Sequence, residues 1–261
     1  MTDEEPLHLE QREGVRVISF HRPPANAFTI EMVTALRDML RDAALDDAVR
    51  CIVLTGSEGY FSTGHDVREI TERGDPGSYR HHLRRTYNRV VEQMRALEKP
   101  IIGGINGPAV GAGLGIALAT DMRLASERAQ FRFGFTGIGL TADSGISLSL
   151  PLLVGMSRAL EMAFLNQPLS AEDALDWGLV SRVVPDDDLT EVVLELASAL
   201  ADGPTRAFGL TKRAFNHAMH PLLQDALNYE AYLQEIASRT QDHREGLAAF
   251  AEKRPPQFRG N

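Results

Sequence analysis

Apolar positions along this chain follow two rhythms, and the change comes near residue 186. Before it, short apolar runs alternate with longer amphipathic stretches. VRVISF (15–20) and RCIVLT (50–55) read as strands. Between them Met32, Leu36, Met39, Leu40 and Ala43 form one stripe at helical spacing, with Thr29 placed as N-cap. A second helical stretch, about Tyr79 to Leu97, leads into the strand PIIGGI at 100–105. Further strands are expected at Met122–Ala125, Gln130–Phe133 and Leu179–Val184. Strands alternating with helices predict an α/β architecture with parallel pairing. Beyond Asp186 only helical spacing remains, over 189–201, 205–219, 222–240 and 243–253, punctuated by Gly203-Pro204 and Pro221. The expected organisation is therefore an α/β core over 1–188 and a helical region over 189–261. The apolar faces of those late helices need cover from the core or from another subunit.

Two glycine-containing turns follow apolar strands. One is GSEGYFSTGHDVREI after RCIVLT; the other is NGPAVGAGLG after PIIGGI. Glycine lets backbone approach a ligand closely or take positive φ, and the start of a helix offers N–H donors to a negative oxygen. Ligands in open α/β folds gather at the carboxyl ends of strands, so one N–H from each turn can clamp a single oxyanion. Residues 101–120 carry no charge and are long enough to span a bilayer. Their glycines, Asn106 and Pro108 would interrupt a spanning helix, and no second apolar span accompanies them; strand, turn and helix is the better reading.

Composition narrows the function. The 261 residues carry a net charge of −9, which argues against nucleic acid as a partner. The N-terminus MTDEEPLHLEQ is acidic, with no apolar stretch of a secretory or transit type. The one cysteine, Cys51, lies in an apolar run and reads as a buried structural thiol. The histidines have no metal-like spacing, so no metal is expected. These features point to a cytoplasmic enzyme or binding protein, not associated with membrane.

The chain resembles the crotonase superfamily, the enoyl-CoA hydratase/isomerase family. The resemblance rests on RPPANAF (22–28), FSTGHDVREI (61–70), KPIIGGINGPAVGAG (99–113), AQF (129–131), LPLLVG (150–155), LSAEDALDWGLVSRVVP (169–185) and EGLAAFAEKRPPQF (245–258). It implies a spiral of βαβ units with a helical C-terminal region for trimerisation, as a homotrimer or dimer of trimers. It implies an acyl-CoA thioester as substrate, with coenzyme A arriving as part of it and no separate cofactor. The oxyanion donors it implies are the backbone N–H groups of His65 and Ala112. His65 stands where the family has Ala or another small residue, so its side chain lies outside the implied hole, although a histidine beside a thioester can act as acid or base. Coenzyme A is expected along Ala25, Asn26 and Ala27 and along Thr63, His65, Asp66, Val67 and Arg68. Phe250 and Lys253 are expected to close the pocket, and Arg22, Arg68 and Lys253 to meet phosphates.

Proton transfer departs from the hydratase pattern. The two positions where hydratases carry glutamates hold Gly115 and Phe135. One carboxylate remains nearby, Asp143 in IGLTADSGISL. Isomerases of the family carry an aspartate there, and an apolar loop raises a carboxyl toward the range of a general base. The alternative is that Asp143 caps a helix beginning near Ser144. The sequence is also similar to 4-chlorobenzoyl-CoA dehalogenase, but the places of that enzyme's assisting histidine and tryptophan hold Asn88 and Phe135. His81 and His82 are expected on a solvated helix face, and Trp177 in packing. The favoured activity is enoyl-CoA isomerisation by Asp143. Its rivals are hydratase or hydrolytic dehalogenase chemistry, with His65 or Asp143 activating water, and a non-catalytic acyl-CoA-binding protein.

Overall fold

The structure, a computed structural model, describes residues 5–72 and 78–261; the first residues of the acidic N-terminus lie outside that range. The chain begins with β1 (Leu7–Arg12), β2 (Val15–Phe20), α1 (Ile30–Leu45), β3 (Cys51–Gly56) and α2 (Val67–Glu72). Next come α3 (Tyr79–Arg85), α4 (Tyr87–Ala96), β4 (Ile101–Ile105), β5 (Ala109–Val110), α5 (Ala112–Ala119), β6 (Met122–Ser126) and β7 (Gln130–Arg132). A 3-10 turn at Thr136–Ile138 precedes α6 (Ile146–Val154), α7 (Met156–Leu165), β8 (Leu169–Ser170), α8 (Ala171–Asp176) and β9 (Arg182–Val184). Four helices complete the chain: α9 (Leu189–Asp202), α10 (Thr205–Met219), α11 (Leu223–Ala237) and α12 (Gln241–Glu252).

Six strands form one sheet in the order β1-β2-β3-β4-β6-β9, and β5, β7 and β8 form a second. In the first sheet every pair is parallel except β1 with β2. β1 escapes the sequence reading because it is an edge strand: Leu7 is buried and the rest of its side chains face solvent, so it carries no apolar run. Strand alternation sorts side chains between two cores. Ile18, Phe20, Ile52, Leu54, Ile101 and Ile105 pack into the larger one. Val15, Val17, Cys51, Val53, Ile102 and Leu124 face the other side, where Leu189, Val193, Ala197 and Ala201 of α9 cover them. Burial pushes the Cys51 thiol up to about 12, which leaves it inert at neutral pH.

α1 forms as expected, with Thr29 Oγ1 accepting from Met32 N at 3.2 Å and Met32, Leu36, Leu40 and Ala43 buried. The stretch from Tyr79 to Leu97 is not one helix. It breaks at Thr86 (φ −112°, ψ −97°) into α3 and α4, where the Thr86 hydroxyl donates to the His82 carbonyl at 2.8 Å. The strands expected at 130–133 and 179–184 are shorter, ending at Arg132 and starting at Arg182.

Leu54 is fully buried in the larger core. Leu54→Ala should lower the unfolding free energy by about 2–5 kcal/mol, read as a reduced urea midpoint at unchanged slope; a loss below about 1 kcal/mol would contradict this placement.

Candidate active site

The two turns meet. Val110 N donates to the Ser62 carbonyl at 2.9 Å, and Phe61 and Ser62 N–H groups donate to Pro108 O. Gly64, at φ +83°, lies so close to the second turn that a Cβ there would fall 2.7 Å from Val110 O and 3.1 Å from Ala112 N. His65 therefore follows a residue packed on Ala112. Ala112 is the first residue of α5, so its N–H has no acceptor within that helix. Both residues line a cleft of about 550 Å³.

Asn26 braces this junction from beneath. It is fully buried, and its amide donates to Ser57 O at 2.9 Å and Tyr60 O at 2.8 Å. It does not line the cleft, unlike its neighbours Ala25 and Ala27. Thr63, Asp66, Val67, Arg68, Phe135 and Phe250 line it as well. Lys253 does not; it ends α12 with a left-handed backbone and an exposed side chain. Burial alone would raise the Asp66 carboxyl, but the guanidiniums of Arg68 and Arg22, at 2.9 and 2.7 Å, hold it well below the usual carboxylate range. Both arginines also line the cleft.

Asp143 is buried and lines the same cleft. The structure overturns the capping alternative for it. α6 begins at Ile146 behind Gly145, and the Asp143 side chain gives it no cap. The N–H groups of Gly145 and Ser147 are instead taken by the two carboxylate oxygens of Glu230 from α11, at 2.9 and 2.8 Å. Asp143 is held by side chains: Ser144 Oγ donates to Oδ1 at 2.6 Å and Gln234 Nε2 to Oδ2 at 3.1 Å. Burial pushes its carboxyl up to about 7; the neighbouring Glu230 charge adds to this, and the two hydrogen bonds oppose it. Ser144 (φ +57°) and Gly145 (φ +79°) are both left-handed, and such a conformation at a non-glycine residue is uncommon outside functional loops.

Gly115 proves to be more than a missing acid. A Cβ there would lie 2.4 Å from Ser144 Cβ, so the Asp143 loop fills the space a side chain would need. Phe135 packs edge-on against Phe133, centroids 5.2 Å apart, and walls the cleft.

His82 corrects an expectation. It does not sit on a solvated face but lines the cleft, its ring 5.1 Å from that of His65, and burial lowers its pKa. His81 is exposed. The break at Thr86 brings His82 and Tyr87 together to the cleft wall, which uniform helical spacing concealed. Tyr87, not singled out from sequence, is buried with its hydroxyl 3.0 Å from His65 Nδ1; burial and the charges of Asp143 and Glu69 raise its pKa. Tyr79, Arg132 and Asn166 also line the cleft. Asn88 is buried away from it, donating to Leu227 O at 3.0 Å. Trp177 packs under the Arg158 guanidinium, 5.0 Å from the ring centre.

Known proteins place this arrangement. Residues 10–261 match the family model described as enoyl-CoA hydratase/isomerase. The 1,2-epoxyphenylacetyl-CoA isomerase of Escherichia coli K12 is 38% identical over 256 residues, covering 97% of both chains. A 4-chlorobenzoyl coenzyme A dehalogenase of an Arthrobacter species is 35% identical, covering 95% of this chain and 91% of the other. The crystal structure of an enoyl-CoA hydratase from Mycobacterium avium subsp. paratuberculosis superposes with a TM-score of 0.88 at 36% identity, over 97% and 98% of the two chains. The chain has the crotonase fold and belongs to the enoyl-CoA hydratase/isomerase family of acyl-CoA enzymes. Among the described residues no helix is long and apolar enough to cross a membrane.

Gly115→Glu, which reinstates a hydratase-like acid, should destabilise the protein by about 1–3 kcal/mol through overpacking against Ser144. A chemical denaturation curve matching the wild type would show that the loop yields without cost.

Proposed function

We propose that the protein is an enoyl-CoA isomerase in which Asp143 carries the proton. The observation that carries this reading is that Asp143, His65 and Ala112 line one cleft while the other carboxylate among its described lining residues, Asp66, is bound to two arginines. Asp143, with its carboxyl near 7, is the group suited to take and return a proton at neutral pH.

In this reading the thioester oxygen lies between the N–H groups of His65 and Ala112. The Asp143 carboxylate removes a proton from the carbon next to the thioester of a 3-enoyl-CoA. The electrons move into the conjugated enolate, whose oxygen accepts both N–H groups at the positive end of α5. The Asp143 acid then delivers its proton to the γ carbon, which gives the 2-enoyl-CoA and restores the carboxylate. Phe135, Ile138 and Leu140 exclude water from the acyl group. The coenzyme A portion runs along Ala25, Ala27, Thr63, Asp66 and Val67, with Phe250 over it, and the guanidiniums of Arg22 and Arg68 face its phosphates. A homotrimer or a dimer of trimers suits the exposed apolar row Met156, Leu160 and Phe164 on α7, and Phe215, Met219, Tyr229 and Ile236 on α10 and α11.

Solvent deuterium should enter a 3-enoyl-CoA next to the thioester, and Asp143→Asn should slow this by about 100-fold or more. The base must be ionised to act, so exchange should rise with pH as the carboxyl titrates near 7 and level off above it. Exchange by Asp143→Asn at the wild-type rate would refute the assignment.

A further inference from the structure

We infer that Glu230 and Gln234, one turn apart on α11, are positioning residues for Asp143. Glu230 occupies the start of α6 in place of Asp143, and Gln234 fixes the plane of the Asp143 carboxylate. The proposal rests on the reading of Asp143 as the base and adds the groups that keep it one.

Asp143 lies three residues before the first residue of α6. A carboxylate close to a helix start is favoured in its ionised form by the helix dipole and by any N–H group it reaches, which lowers its pKa. The N–H groups there are already taken: that of Ile146 donates to the backbone carbonyl of Asp143 at 3.1 Å, and Glu230 takes two more. It is buried, and each of its oxygens accepts one of those N–H groups, from Gly145 and Ser147. Two N–H donors at the start of α6 are therefore spent on a carboxylate that does not line the cleft. Among the described residues Asp143 has two side-chain hydrogen bonds, one per oxygen, so each oxygen retains a lone pair for a substrate proton.

The orientation of Gln234 is fixed by a second acceptor. Its Nε2 donates to Thr141 O at 2.7 Å as well as to Asp143 Oδ2. Reversing the amide would set its oxygen against the Thr141 carbonyl, which can only accept. Gln234 must therefore donate to Asp143, and its own Oε1 is buried with no partner among the described residues. An unmade hydrogen bond at a buried amide is costly, and this one is accepted beside the candidate base. Other groups near Asp143 are Tyr87 of α4, whose hydroxyl feels its charge, and His65 and His82, which line the same cleft. Neither substitution below alters these.

The two residues act in opposite senses, which separates positioning from mere folding. Gln234→Met removes a donor to the carboxylate and should raise the apparent pKa of Asp143 by about one unit. Glu230→Gln removes a neighbouring negative charge and should lower it by about one unit. Two readouts apply: the pH profile of deuterium exchange into a 3-enoyl-CoA, and the titration of the Asp143 carboxyl carbon by 13C NMR, assigned with Asp143→Asn. The NMR titration needs no turnover, so it decides this inference even where the exchange experiment overturns Asp143 as base. Opposite shifts support the proposal. Shifts of the same sign, or both within about 0.3 unit of wild type, overturn it. Where Glu230→Gln does not fold, Gln234→Met decides alone: an upward shift supports the proposal, and no shift or a downward one refutes it.

Discussion

The site depends on how closely two stretches of backbone can approach. The turns after β3 and β4 are joined by Val110 N donating to Ser62 O, and three glycines make room for this contact. A side chain at Gly64 would strike Val110 O, one at Gly113 would lie 2.4 Å from Ser62 O, and one at Gly107 would lie 1.9 Å from Gly59 O. These are backbone atoms, which cannot swing aside as the end of a side chain can. The parallel register of β3 with β4, in which Leu54 lies opposite Gly103, delivers both turns to the same end of the sheet. Burial of the sheet on both faces then makes that register rigid, because a slip by one residue would exchange the two cores.

Rigidity of the turns positions backbone N–H groups at the cleft; the proposed reaction also requires a group whose charge the protein does not over-stabilise. The surroundings of Asp143 meet that requirement by division of labour. Arg22 and Arg68 hold Asp66 ionised at the cleft, while Glu230 takes the helix donors nearest Asp143. Three carboxylates near one site thus have three environments, and only Asp143 combines a place in the cleft with a carboxyl near 7.

Much of this was legible in the sequence, and the losses have physical causes. α1, the parallel strands and the late helices follow from apolar periodicity; the two glycine turns pointed to one shared oxyanion site, and the family resemblance implied His65 and Ala112 as its donors. β1 was missed because an edge strand with one buried residue has no apolar signal. His82 was misplaced and Tyr87 overlooked because one residue, Thr86, interrupts a helix whose pattern reads as continuous. Asn26 sits in a matching motif, yet it acts through Ser57 and Tyr60 beneath the site. Glu230 could not be found at all by local reading. A helix start is sought in the residues just before it, and this one is satisfied from 85 positions away.

That distant cap also bears on position 115, where the family resemblance implies an acid in hydratases. With Glu230 holding the start of α6, Ser144 and Gly145 take left-handed conformations, and the loop presses Ser144 onto α5 at Gly115. A glutamate at 115 would have to displace this loop. In the proposed reading, the glycine at 115 and the placement of Asp143 are therefore linked through Ser144. Once Ser144 is seated there, it donates to Asp143 Oδ1, so the contact that excludes an acid from α5 also helps to orient Asp143 in the cleft.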